Sequence, residues 1–212
     1  MIARRAALVG LAVLPAARLY AADLPAPAMS VQHFTDALLR VMKAGRSASF
    51  ANRVQMLTPI VEQVFDLPLI LRRSVGSRWG QFTDTAKADL LSAFEGFTVA
   101  TWVANFDNFD GEVFEIAADV RSVGQEMVVQ TRIVPKSGEP TRLDYVMLEV
   151  GRETSGTAGV WRAVDILLNG TISRVAVQRS DFRAIVDAGD PGALIILLRN
   201  KTATLAAAAT KP

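Results

Sequence analysis

Residues 126–151, EMVVQTRIVPKSGEPTRLDYVMLEVG, decide the fold. Met127, Val129, Thr131 and Ile133 alternate with Val128, Gln130, Arg132 and Val134. A period of two marks a strand, because successive side chains point to opposite faces. Ser137-Gly138-Glu139-Pro140 breaks the alternation as a turn. Leu143, Tyr145 and Met147 then take one face of a second strand, and Val146, Leu148 and Val150 the other. Apolar side chains on both faces predict that part of the sheet is covered on both sides.

Outward from this pair, four strand candidates emerge: Glu112–Val123, Glu126–Val134, Arg142–Gly151 and Gly159–Leu168. Breaks at Gly124, Ser137–Pro140 and Ser155-Gly156 give the short spacing of an antiparallel meander. Before the turn signal Asp110-Gly111 the period is helical instead. Phe34, Ala37, Leu38, Val41 and Met42 form one stripe, which Gly45 ends. Phe50, Val54 and Leu57 form a second, and Thr58-Pro59 either kinks that helix or opens another through Ile60, Val61, Val64 and Phe65. Leu69–Ser77 reads as a short helix. Thr83 is the expected N-cap of a long one carrying Ala86, Leu90, Phe94, Phe97, Thr101 and Trp102. After Asn169-Gly170 ends the sheet, helices are expected over 173–188 and 191–208. Helices, then strands, then helices predict one α+β domain, a bent antiparallel sheet of about four strands wrapped by helices.

Residues 1–22, MIARRAALVGLAVLPAARLYAA, have the pattern of a cleaved bacterial export signal. Arg4 and Arg5 precede an apolar run too short to span a bilayer, and small residues gather at Ala21 and Ala22. Residues 23–32 read as a flexible leader, 33–205 as the domain and 206–212 as a disordered tail. The signal also corrects the charge. The whole chain has 23 basic and 21 acidic residues, but Arg4, Arg5 and Arg18 leave with the signal. The remaining chain has 20 basic and 21 acidic residues, a net of −1. That balance does not support a nucleic-acid face.

Composition removes much enzyme chemistry. No cysteine is present, which excludes thiolate nucleophiles and cysteine-bound zinc, and the single His33 excludes histidine-rich metal sites. His33 has no evident catalytic partner and reads as a helix-start residue. No Walker A, GxGxxG or GxSxG string occurs. Asp107–Glu112 lacks the ligand alternation of a calcium loop and reads as a turn. Asp165 interrupts the apolar strand VWRAVDILL, and a carboxylate there needs donors. It is either a base in a pocket or a structural acceptor served by the Thr171-Ile172-Ser173 turn. Neither a cofactor nor a metal is expected. Large apolar side chains are abundant instead. A sheet with helices on its concave side can leave an apolar cavity, where each buried CH₂ of a ligand gains about 0.8 kcal/mol.

Several strings resemble the MlaC family, also called toluene-tolerance auxiliary proteins. They are LRRSVGSRW (71–79), LLSAF (90–94), WVANFDNF (102–109) with Asp110-Gly111, and WRAVDILLNG (161–170) followed by TISRVAVQRSDF (171–182). LDYVM (143–147) and RVAVQRSDFR (174–183) are similar to the hopanoid-associated branch, HpnM. The resemblance spans roughly residues 33–202. It implies an NTF2- or cystatin-like sheet with an apolar pocket. It also implies a periplasmic carrier that exchanges phospholipid or hopanoid with an inner-membrane ABC transporter complex and an outer-membrane complex. It brings no shared catalytic set.

On that reading, the helical half offers Phe65, Leu69, Val75, Trp79, Phe94, Trp102 and Phe106 as pocket candidates. The sheet and closing helices offer Val129, Ile133, Tyr145, Met147, Val164, Val175, Phe182 and Leu198. Arg72, Arg73 and Arg179 are candidates for a head group at the mouth. The expected state is a monomer. Two other readings compete: a small enzyme using Asp165 as base, and a structural subunit with a solid core.

Overall fold

The computed structural model describes residues 24–151, 159–186 and 190–209; the expected export signal lies outside them. Four helices come first: α1 (Ala26–Ala44), α2 (Phe50–Val64), α3 (Leu67–Val75) and α4 (Asp84–Asn105). Strands follow: β1 (Val113–Val123), β2 (Glu126–Val134), β3 (Thr141–Val150), β4 (Val160–Leu168) and the short β5 (Ile172–Ser173). Helices α5 (Arg174–Arg183) and α6 (Gly192–Ala209) close the chain.

Side chains set the helix starts. Ser49, Asp66, Thr83 and Ser173 each accept a hydrogen bond from the backbone N–H three residues on. Thr83 is the N-cap read from the sequence. α2 runs through Pro59 as a single helix, so no new helix begins there.

Several boundaries differ from expectation: β5 pairs beyond Asn169-Gly170, the expected end of the sheet, so the sheet has five strands, and α5 stops at Arg183 rather than 188. α1 begins at Ala26, inside the stretch read as a flexible leader. Pro27 presets the dihedral of the first turn, and Ala28 and Val31 are fully buried. The Ser30 hydroxyl donates to the Trp161 carbonyl at 2.9 Å, tying this turn to β4. At the other end α6 continues to Ala209 through residues read as a disordered tail. Alanine is the best helix former, and Ala206 and Ala209 pack against the core. Residues 210–212 of the expected tail are outside the described residues.

The sheet is one open antiparallel meander in the order β1-β2-β3-β4-β5. Asn169 (φ 53°) and Gly170 (φ 73°) open the three-residue turn Asn169–Thr171 from β4 to β5. Asn-Gly suits a turn that needs positive φ twice. A Cβ on Gly170 would stand 2.7 Å from the Arg142 guanidinium carbon, so that side chain would have to shift. α1 packs on β1, β2 and β4, α4 packs on α2 and α6, and α3 packs on α5.

Phe34 of α1 centres the core. Its ring meets Phe65 at 4.9 Å and Trp102 at 4.8 Å, both edge-on, and Tyr145 at 6.2 Å. Such pairs add to burial energy through the ring quadrupoles. Arg53 is buried between α2 and α4, and its guanidinium reaches the Val103 and Asp107 carbonyls at the end of α4. It thereby serves carbonyls that the helix itself leaves unpaired.

Candidate functional site

A cavity of about 650 Å³ opens between the helices and one end of the sheet, a volume typical of small-molecule sites. Phe94, Thr98, Thr101, Trp102 and Asn105 line it from α4. Their spacing of four, three, one and three residues is one helical stripe. Ile133, Thr141, Leu143, Ile166 and Leu168 line it from β2, β3 and β4. The register puts them on one face, because Ile133 pairs with Thr141 and Leu143 with Leu168. Phe65, Leu67 and Ile70 come from the α2–α3 junction, and Arg174, Val175 and Gln178 from α5.

Several polar groups within these walls are already engaged, while Arg174 and Thr141 also line them. Thr98 and Thr101 donate to the Phe94 and Phe97 carbonyls at 2.8 and 2.7 Å. Gln178 Oε1 accepts from the Ser74 hydroxyl at 3.1 Å. Asp165 Oδ1 accepts from the N–H groups of Ile166 (2.7 Å) and Val175 (3.0 Å), and Oδ2 accepts from the Ser173 hydroxyl. Asp165 therefore anchors the start of α5, the structural arrangement that the Ser173 turn suggested. A wall whose polar atoms are satisfied internally can hold an apolar ligand without desolvation cost. One end of the cavity is polar: Asn105, Asp107, Asn108 and Glu112 stand there at the α4–β1 turn.

Phe65, Phe94, Trp102, Phe106, Ile133 and Val175 from the sequence-derived set line this cavity. The others lie elsewhere, for identifiable reasons. Val129, Tyr145 and Met147 share the cavity-side face of the sheet but are fully buried farther along it, where α1 packs over the sheet and Phe34 meets Tyr145. Burial pushes the Tyr145 hydroxyl above its ordinary pKa. Val164 falls in a register shift: Tyr145 and Met147 pair with Ile166 and Ala163, so Val164 is the extra residue outside that face. Val75, Phe182 and Leu198 are buried in helix packing, and Trp79 lies edge-on to Phe82. Leu69, Arg72, Arg73 and Arg179 line a separate groove between α3 and α5, of about 470 Å³.

Sequence reasoning passed over Met42, Leu67, Ile70, Thr98, Thr101, Leu143, Ile166 and Leu168, which also line the cavity. Leu143 carried a usable signal, since it alternates in step with Tyr145. The threonines carried none, because their hydroxyls are hidden only by bonds to helix carbonyls. Among the described residues no three histidine, aspartate or glutamate side chains gather as a metal site. No described helix is long and apolar enough to cross a membrane.

No curated protein matches the chain significantly. The fold is similar to the solved structure of a phospholipid-binding protein from Ralstonia solanacearum in complex with a phospholipid. The TM-score is 0.70 at 19% identity, and the match covers 86% of this chain and 99% of that one. The family model described as MlaC protein matches residues 32–200, nearly all of the described domain. The fold and the matched residues thus converge, and the chain belongs to the MlaC family.

Proposed function

We propose that this protein is a periplasmic lipid carrier that buries the apolar part of one lipid in the cavity between α4 and the sheet. The observation that carries the reading is the cavity itself, roomy and largely apolar, with Thr98, Thr101, Asp165 and Gln178 in its walls bonded within the protein. Burying about fifteen methylenes there gains roughly 12 kcal/mol before the costs of association. The structural neighbour from R. solanacearum, in complex with a phospholipid, supports a lipid as the class of ligand. The cargo is a phospholipid or a hopanoid. The carrier works as a monomer after removal of residues 1–22, and exchanges its cargo with an inner-membrane ABC transporter complex and an outer-membrane complex. No covalent step is required. The anchoring role of Asp165 supports binding over base catalysis, and the cavity supports a carrier over a solid structural subunit.

Uptake from fluorescent-lipid liposomes tests this reading. Wild-type protein should extract lipid. Ile133→Trp, which fills the cavity from β2, should reduce uptake at least tenfold while the melting temperature stays near that of wild type. A folded wild-type protein that extracts neither phospholipid nor hopanoid contradicts the proposal.

A further inference from the structure

Toward the middle of the sheet the cavity stops at a wall of rings. Phe65 and Trp102 line it, and behind them stand Phe34 and Tyr145, which do not. The Trp102 ring lies 4.8 Å from Phe34 and 6.0 Å from Phe65, and Phe65 lies 6.3 Å from Tyr145. Val129, Tyr145 and Met147 continue the same face of the sheet and are fully buried, so the space does not run on beneath α1. The wall reaches β1 through Phe106, whose ring is 5.5 Å from Trp102 and 6.2 Å from Phe114.

The other ends are polar. Asn105, Asp107, Asn108 and Glu112 stand at the α4–β1 turn, and Arg174 and Gln178 stand on α5. A hydrocarbon chain pushed among them would strip water from charged groups and return no hydrogen bond, at a cost larger than a buried methylene recovers.

The volume between these limits is about 650 Å³. A methylene occupies roughly the 30 Å³ that a water molecule takes in the liquid, so there is room for about 20 of them. One ordinary acyl chain fills that space. Two chains of about sixteen carbons need roughly 1,000 Å³ at the same allowance. Each methylene left in water forfeits about fourfold in affinity. From this fit we infer that the cavity encloses a single acyl chain, and that its preferred cargo is a single-chain phospholipid rather than a two-chain one. The inference rests on the carrier reading and narrows its cargo. Trp102 and Phe106 set the selectivity, because their rings occupy the space into which a second chain would extend.

Vesicles holding equal amounts of palmitoyl lysophosphatidylglycerol and dipalmitoyl phosphatidylglycerol test this, since the two lipids differ only in the second chain. Protein is incubated with them, separated, and its bound lipid counted by native mass spectrometry. Wild type should carry the single-chain lipid about tenfold or more over the other, as even two methylenes left in water would give. Trp102→Leu, which opens the ring wall, should lower that ratio about threefold, roughly the worth of one methylene. Phe106→Leu, at a half-buried position of the same wall, gives the second comparison if the first variant does not fold. Equal or greater loading of the two-chain lipid by wild type overturns the inference and leaves the carrier reading standing. A preference that the folded variants keep unchanged traces to easier escape of the lysolipid from the vesicle, and also overturns the inference. Wild type that loads neither lipid overturns both.

Discussion

Helices α1 and α5 both border the cavity, Met42 from the first and Val175 and Gln178 from the second, but they are held by different forces. α1 buries nine of its nineteen residues, with Phe34 inside a ring cluster. α5 buries one of ten, Phe182. Directional polar bonds hold α5 instead: Asp165 takes the Ser173 hydroxyl and the Val175 N–H, Gln178 meets Ser74, and Arg78 reaches the Val186 carbonyl just beyond the helix. Apolar packing is lost only when water enters the core, whereas a half-exposed hydrogen bond exchanges for a bond to water at a net cost near 1 kcal/mol. This difference predicts that the α5 side opens more readily than the α1 side, although Phe182 still packs against Phe94.

The largest expected effect lies on the α1 side. Phe34→Ala should cost about 3–5 kcal/mol, the usual range for a buried phenylalanine, and lower the cooperative melting transition of the whole domain. A loss below about 1 kcal/mol would mean that the aromatic cluster does not carry the core. On the α5 side, Asp165→Ala leaves the Val175 and Ile166 donors unpaired and should cost about 2 kcal/mol. Hydrogen exchange should then accelerate in residues 174–183 and stay unchanged in α1. Uniform acceleration would erase the distinction between the two sides. Ser74→Ala removes the hydroxyl shared between Gln178 and the Ile70 carbonyl and should cost about 0.5–1 kcal/mol. Lipid transfer between liposomes should become severalfold faster in that variant, and a slower rate would count against α5 as the side that moves.

The smallest effect at neutral pH comes from Tyr145. Its hydroxyl titrates above the ordinary value because it is buried. The unfolded chain releases this proton near pH 10 while the folded chain retains it, so stability is complete below about pH 10 and declines above it. Tyr20 and Tyr145 are the two tyrosines of the chain. In protein lacking residues 1–22, absorbance at 295 nm reports Tyr145 alone. It should show no ionisation until the fold opens, and free titration near pH 10 would place the ring in water.

The sequence made some of this contrast readable. The change of period at Asp110-Gly111 located the helix–sheet boundary, and Thr83 marked the start of α4 through its side chain. Asp165 stood out because a carboxylate in an apolar strand must find donors, and the Thr171-Ile172-Ser173 turn offered them. What could not be read depends on placement in three dimensions. α1 packs over part of the sheet, so Val129, Tyr145 and Met147 lie in the core while Leu143, on the same face, borders open space. Two-residue alternation carries no record of the register shift that displaces Val164. PAPAM (25–29) reads as a loop by its prolines, and only burial against the sheet shows 26–29 as the first turn of α1.

Native mass spectrometry of the purified protein tests the central claim most directly. The account predicts a bound lipid on wild-type protein that is absent from Ile133→Trp at equal melting temperature. Wild-type protein that is free of lipid, and that stays free after incubation with phospholipid and hopanoid liposomes, would contradict it.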